Sequence, residues 1–272
     1  MKLAMMTYTM WRGPWGKNPD ALSLCKLTSE LGLTAIDWCS NHGLDPADIC
    51  AIMDDLGLST ACYTFGANDI ASTVPSLRKA GLENVERELA MAASLRSKIA
   101  MLVLGGESKT PREITRKYAI ESLAKVIEIA KPLGITVTTE HFPSPDAPFV
   151  VSADFSEALA ELPELKITYD NGNVLTGGES SEDAFTRSST RIVHAHFKDW
   201  EIGKPGDGVP GLDHRWYKGA LHGEGIVDTR ASLAAMRAAD YNGFIDIEYE
   251  GNKYTPEQAI TKAVAYLTPL ID

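Results

Sequence analysis

Apolar and polar positions alternate along the chain in two periods, one of two residues and one near 3.6, and stretches of the two kinds follow each other from end to end. Residues 3–9 (LAMMTYT), 34–40 (TAIDWCS), 59–65 (STACYTF) and 98–106 (KIAMLVLGG) read as strands. The last is apolar on both faces, as expected of a strand covered on both sides. A helix follows each. Asn18-Pro19-Asp20 caps one that runs to about Leu31 and stops at Gly32, and Asp45-Pro46 opens a second that Gly57 closes. A long amphipathic run reaches about Ser97, and Thr110-Pro111-Arg112-Glu113 opens a fourth helix that ends near Gly134. Four more strands follow at 135–142, 166–173, 191–199 and 244–251. Helices start near Ser152, Ser180 and Asp228, and a final one starts at Thr255-Pro256-Glu257. Eight strand–helix units at a spacing of about 30 residues, with no break in composition, predict an α/β chain folded as one (β/α)8 TIM barrel over residues 1–272. The alternative is a doubly wound open sheet. Such sheets usually carry a Gly-rich first turn, and no G-x-G-x-x-G follows the first strand. About 27 residues, 200–226, separate the seventh strand from the next helix; connections that long in compact domains are usually functional.

The last four strands, ITVTTEHF, KITYDNGN, RIVHAHFKD and FIDIEYEG, share an unusual pattern. One face is apolar. The other carries Thr136, Thr138 and Glu140; Lys166, Thr168 and Asp170; His194, His196 and Lys198; and Asp246, Glu248 and Glu250. In a barrel these rows converge on one axis, and catalytic groups gather at the C-terminal ends of the strands. Glu140, Asp170, His196 and Glu248 lie at or near those ends, one per consecutive strand. Three carboxylates and an imidazole suit one divalent ion: Mn²⁺, Mg²⁺, Co²⁺ or Zn²⁺. Without a cation, three acids packed together repel and resist ionisation.

Composition narrows the setting. The 272 residues are 44% hydrophobic and 23% charged, enough for a substantial core. A net charge of −11 argues against nucleic-acid or anionic-membrane partners. The four cysteines, Cys25, Cys39, Cys50 and Cys62, form no C-x-x-C pair, which points to reduced thiols rather than a disulfide framework or a thiolate zinc site. The N-terminal residues lack the apolar core and cleavage site of a signal peptide, and no apolar run approaches the ~20 residues of a membrane span. A cytoplasmic protein is expected.

TTEHF, YDNGN, HAHFKDW, LHGEGIVD and IDIEYEG resemble the xylose isomerase-like barrel superfamily of sugar isomerases, sugar 3-epimerases, inosose dehydratases and endonuclease IV. The resemblance extends over nearly the whole chain in architecture. By matching position it implies that Glu140, Asp170, His196 and Glu248 are the metal ligands, and that Gly223-Glu224-Gly225 is a structural turn with Glu224 organising its loop. It departs at Asn173, where many epimerases and the endonucleases have histidine. It departs again at YTFGAND and LVLGGES, where the endonucleases carry histidines for further metals; a nuclease is therefore disfavoured. The implied activity is a metal-dependent isomerase or epimerase of a sugar or polyol. The ion binds a carbonyl and its neighbouring hydroxyl and stabilises an enediolate, while Glu140 and Glu248 remove and return the proton. Loss of a β-hydroxyl from the same enediolate would instead make a dehydratase or lyase of a keto-sugar or keto-inositol. A binding barrel without catalysis is the reading from another class, and homo-oligomers are common in barrels of this type.

Around the metal set, His141, Asn173, Lys198 and Arg215 are candidates for substrate contact. His141 would stand at the pocket rim or pack. Lys198 would hold a substrate oxygen or pair with Glu250. Arg215, with His214 and Trp216, would cover the substrate from the long loop. His194 is expected to bond Asp246 behind the site, Asn171 to orient ligands, and His222 to be a loop residue. Trp11, Trp15 and Trp38 would form core or an apolar wall.

Overall fold

In a computed structural model, which describes residues 1–271, the strands are β1 (Lys2–Met6), β2 (Ala35–Cys39), β3 (Ser59–Gly66), β4 (Ile99–Val103), β5 (Thr136–Glu140), β6 (Lys166–Asp170), β7 (Ile192–Phe197), β8 (Asp199–Gly203), β9 (Val209–Pro210), β10 (Trp216–Ala220) and β11 (Phe244–Ile247). Eight of them close into a parallel barrel in the order β1-β11-β7-β6-β5-β4-β3-β2, which rules out the open doubly wound sheet. Helices cover the outside. Their starts are set by side chains that satisfy otherwise unpaired N–H groups: Asp20 accepts from Leu22 and Ser23, Asp45 from Ala47, Ser180 from Asp183 and Asp228 from Ala231. Among the described residues no helix is long and apolar enough to cross a membrane.

The outward rows of the strands build the main core with the helices: Ile36, Tyr63, Leu102, Ile167, Phe197 and Ile247 are all buried there. The inward rows form layers along the axis. Ala4, Ala35 and Ala61 fill the bottom. Above them the hydroxyls of Thr138 and Thr168 bond each other at 2.8 Å. Higher still lie the titratable side chains described below.

Three expectations change. The first strand ends at Met6, and Thr7–Trp11 is a short helix. Side chains take over the bonding there: Thr7 Oγ1 accepts from Cys39 N, and Thr9 Oγ1 accepts from Tyr249 N. Thr110 does not cap the fourth long helix. Its hydroxyl donates to Glu107, and the helix is Arg112–Ala130. The long connection after β7 is an ordered antiparallel sheet, β8-β10-β9. Asp199 ties that sheet back to the barrel by accepting from the backbone of Trp200, Gly223, Gly225 and Val227. A Cβ on Gly225 would lie 2.2 Å from the Asp199 carboxylate, so the G-E-G turn needs its second glycine for close approach. Glu224 accepts from Lys253 and Tyr254 and organises the loop as expected.

Candidate metal centre

Glu140 ends β5, Asp170 ends β6, His196 is the penultimate residue of β7, and Glu248 follows β11. All four are buried. Parallel register puts Asp170 and Asp246 on either side of His196. One oxygen each from Glu140 and Asp170 and one nitrogen of His196 lie within 4.8 Å of one another. Nδ1 of His196 is 3.3 Å from Glu140 Oε2 and 3.9 Å from Glu248 Oε2. Glu140 Oε2, Asp170 Oδ2 and His196 Nδ1 are buried and make no aligned hydrogen bond within the protein. Two donors on opposite sides of an ion with bonds of about 2.0–2.2 Å lie about 4 Å apart. The spacing, the unsatisfied atoms and the oxygen-rich donor set therefore fit one divalent cation at Glu140, Asp170 and His196, with Glu248 beside them.

Lys198 is the cation already present. Its Nζ lies 3.2 Å from Asp170, 2.9 Å from Glu248 and 2.7 Å from Glu250. A Cβ on residue 172 would meet Lys198 Cγ at 2.5 Å, so Gly172 makes the space for this side chain. Both uses expected of Lys198 are sterically open: it pairs with Glu250 and it faces the cavity. One ammonium among several carboxylates leaves an excess of negative charge. Burial raises the Asp170 carboxyl to about 6, with Lys198 opposing and Glu140 adding to the rise. Burial also pushes Glu248 well above its usual range against the pull of Lys198. Lys198 is raised well above its ordinary value: burial opposes its charge, but Asp170, Glu248 and Glu250 outweigh burial.

Behind His196 lies a second polar group. His196 Nε2 is 3.4 Å from Asp37 Oδ2 and 3.7 Å from Asp246 Oδ2, and His194 Nε2 bonds Asp246 Oδ2 at 2.6 Å. Thr64 donates to Asp37 at 2.8 Å. The His194–Asp246 bond was expected; the part of Asp37 was not. Its signal was there, a single acid on the inward row of an otherwise apolar strand, AIDWC. Because β2 and β7 are not neighbours, only closure of the barrel brings Asp37 to His196.

The remaining candidates separate clearly. Asn173 lines the cavity; its backbone N–H donates to Asp170 Oδ1 at 2.8 Å, while its buried side-chain amide has no protein partner. Asn171 Oδ1 accepts from Lys198 N, which supports the strand end. His141 is not at the rim. It is fully buried against Phe155, ring centroids 4.6 Å apart, because the residue after Glu140 points outward from the barrel. Burial lowers its pKa to about 3. Arg215 is exposed and paired with Asp213 in the β9–β10 connection, away from the cavity lining. His222 is buried and bonds the Phe197 carbonyl. Trp15 and Trp38 are buried outside the cavity lining, and Trp11 is half exposed, stacked on His42.

The sequence profile of the xylose isomerase-like TIM barrel family matches residues 25–270. The chain belongs to this family. Among solved structures it is similar to an L-ribulose 3-epimerase, with a TM-score of 0.81 at 16% identity over 99% of this chain and 94% of that one. It is also similar to the IOLI protein with a bound zinc atom, at 0.82 and 16% over 100% and 98%. A probable 3-DHS dehydratase from Bacillus anthracis matches at 0.78 and 18% over 98% and 99%. No curated protein sequence matches the chain significantly. At these identities the structural likeness establishes the shared barrel.

Proposed function

We propose that the protein is a divalent-metal-dependent sugar isomerase or epimerase that moves a proton at the carbon beside a carbonyl. The observation that carries this reading is that Glu140 and Glu248, from β5 and from the end of β11, face one cavity, while the strands supplying Asp170 and His196 lie between theirs. Glu140, Asp170, His196 and Glu248 would hold a divalent ion, which would supply polarisation of a substrate carbonyl and its adjacent hydroxyl and so acidify the neighbouring C–H. One glutamate removes that proton and the other returns one, from opposite sides in an epimerisation. Asn173 supplies an unpartnered amide to a substrate hydroxyl. Lys198 holds Glu248 and Glu250 in place. The similarity in fold to a 3-epimerase and to a zinc-containing barrel supports this reading.

A dehydratase or lyase is the second reading, and Tyr8 favours it. The Tyr8 phenol lines the cavity, and a phenol is protonated near neutral pH, so it can donate to a departing hydroxyl. Metal analysis of protein purified without chelator, followed by sugar turnover in deuterium oxide, separates the cases. Deuterium at one sugar carbon without loss of water is the expected result; an enone chromophore identifies the dehydratase. Glu140→Gln and Glu248→Gln should each lower kcat at least 10³-fold. Retention of wild-type activity by both variants overturns the proton-transfer assignment.

A further inference from the structure

The cavity over the metal centre has two unlike sides. Its floor is polar: Glu140, Asn173, Lys198, Glu248 and Glu250. The opposite wall is mostly apolar, interrupted by Ser40 and Thr64. Met6, Cys39, Met101 and Val103, at the C-terminal ends of β1, β2 and β4, face inward, and Phe142 extends the wall beyond β5. Val209 and Pro210 of β9 stand at its edge. The cavity volume is about 680 Å³, within the roughly 300–1,000 Å³ range of pockets that enclose drug-sized ligands. A hexose has twelve heavy atoms. At no more than a water's share of about 30 Å³ each, it fills about half of this space.

The protein side chains around the cavity offer an anion little to bind. Glu88, Glu140, Glu248 and Glu250 line it, and Lys198 is the one lysine or arginine among the lining residues. Three carboxylates already hold the Lys198 ammonium within 3.2 Å. Arg12 is spent on the carbonyls of Tyr249 and Gly251, and Arg215 on Asp213. The backbone N–H groups of Gly172 and Asn173, nearest the floor, both donate to Asp170. A phosphate or carboxylate needs a free guanidinium, a free ammonium or a set of free N–H groups. Among the lining residues Lys198 is the one such cation, and three carboxylates already share it.

We propose that the site takes an uncharged carbohydrate derivative bearing an apolar substituent, such as a glycoside with an aromatic or alkyl aglycone, and not a sugar phosphate or sugar acid. This rests on the sugar reading of the metal centre. The sugar ring lies on the floor, where the Asn173 amide and the Tyr8 phenol meet hydroxyls. The substituent lies against Met6, Met101, Val103 and Phe142, where its burial from water favours binding.

The test uses the manganese-loaded protein and calorimetric titration with matched sets: a free hexose, its phenyl glycoside and its 6-phosphate. In at least one set the phenyl glycoside should bind tenfold or more tightly than the free hexose, with the phosphate weakest. Val103→Lys should erase that gain and improve binding of the phosphate. The proposal is overturned if the phosphate is the tightest ligand in a set, or if the phenyl group adds nothing in any set. It is also overturned if no member of any set binds. Deuterium incorporation into free hexoses, measured on the same protein, keeps the two levels apart. Metal-dependent incorporation without a phenyl gain sinks only the substrate class; no metal uptake and no incorporation sinks the sugar reading as well.

Discussion

The two halves of the barrel differ in what their inward rows carry. From β1 to β4 the upper positions are Met6, Cys39, Thr64, Met101 and Val103, with Asp37 the one acid. From β5 to β7 and in β11 with the residue after it they are Glu140, Asp170, His196, Asp246 and Glu248. Carboxylates can be buried only where a cation or a set of donors offsets their desolvation, and gathering them on consecutive strands puts Asp170 and Glu248 within reach of the one Lys198 ammonium. The apolar half needs no such partner. It bounds the cavity on the side away from the carboxylates. The apolar side chains of one half thus lie across the cavity from the titratable ones of the other.

The comparison can be broken in four ways. Lys198→Met removes the cation that the polar half already contains. In metal-free protein it should cost about 3–5 kcal/mol in denaturant unfolding, because buried carboxylates lose their partner. Saturating manganese should recover much of that loss. An equal loss with and without metal would separate the lysine from the ion's site.

His141 tests the boundary between that half and the helices outside it. Folded, it holds its pKa near 3, against an ordinary value of 6.5. Between those values the unfolded chain takes up a proton that the folded chain refuses. Stability should therefore fall by a few kcal/mol as pH drops from about 6.5 towards 3, with no contribution above 6.5. His141→Gln should flatten that part of the stability curve.

Asp37 is the one acid on the inward rows of the apolar half. If it orients the His196 ring, Asp37→Asn should weaken metal binding about 10–100-fold in chelator competition while leaving the metal-free protein folded. Binding of two ions per chain would instead mean that Asp37, His194 and Asp246 form a site of their own. The smallest effect is expected at Arg215, which touches neither half. Arg215→Ala should change stability by no more than about 0.5 kcal/mol and leave sugar binding as it was. A large loss in titration would place the β9–β10 connection over the substrate.

Much of this was legible along the chain, because strand periodicity and helix caps are local. The eight strands, most helix starts and the face shared by each acidic or histidine row follow from alternation at neighbouring positions. The metal candidates were legible for the same reason: each stands at the end of its own strand. His141 took the packed alternative rather than the rim. It adjoins Glu140 in sequence, but a strand turns successive side chains to opposite faces, and the outer face here is sealed by Phe155. Arg215 failed as a candidate, since nothing local foretells that the long connection folds into a sheet whose own Asp213 takes the guanidinium.

What sequence pattern could not supply were the relations across the axis. Alternation says that Asp37 points inward but not that it meets His196 from a distant strand. It says that Met6, Met101 and Val103 are apolar but not that they face the glutamates over open space. Those pairings depend on the closure and register of the whole barrel, a property of eight strands together. Composition and periodicity therefore dictate a barrel with an acidic, histidine-bearing rim. The three-dimensional closure settles which charges meet one another and which surface they face.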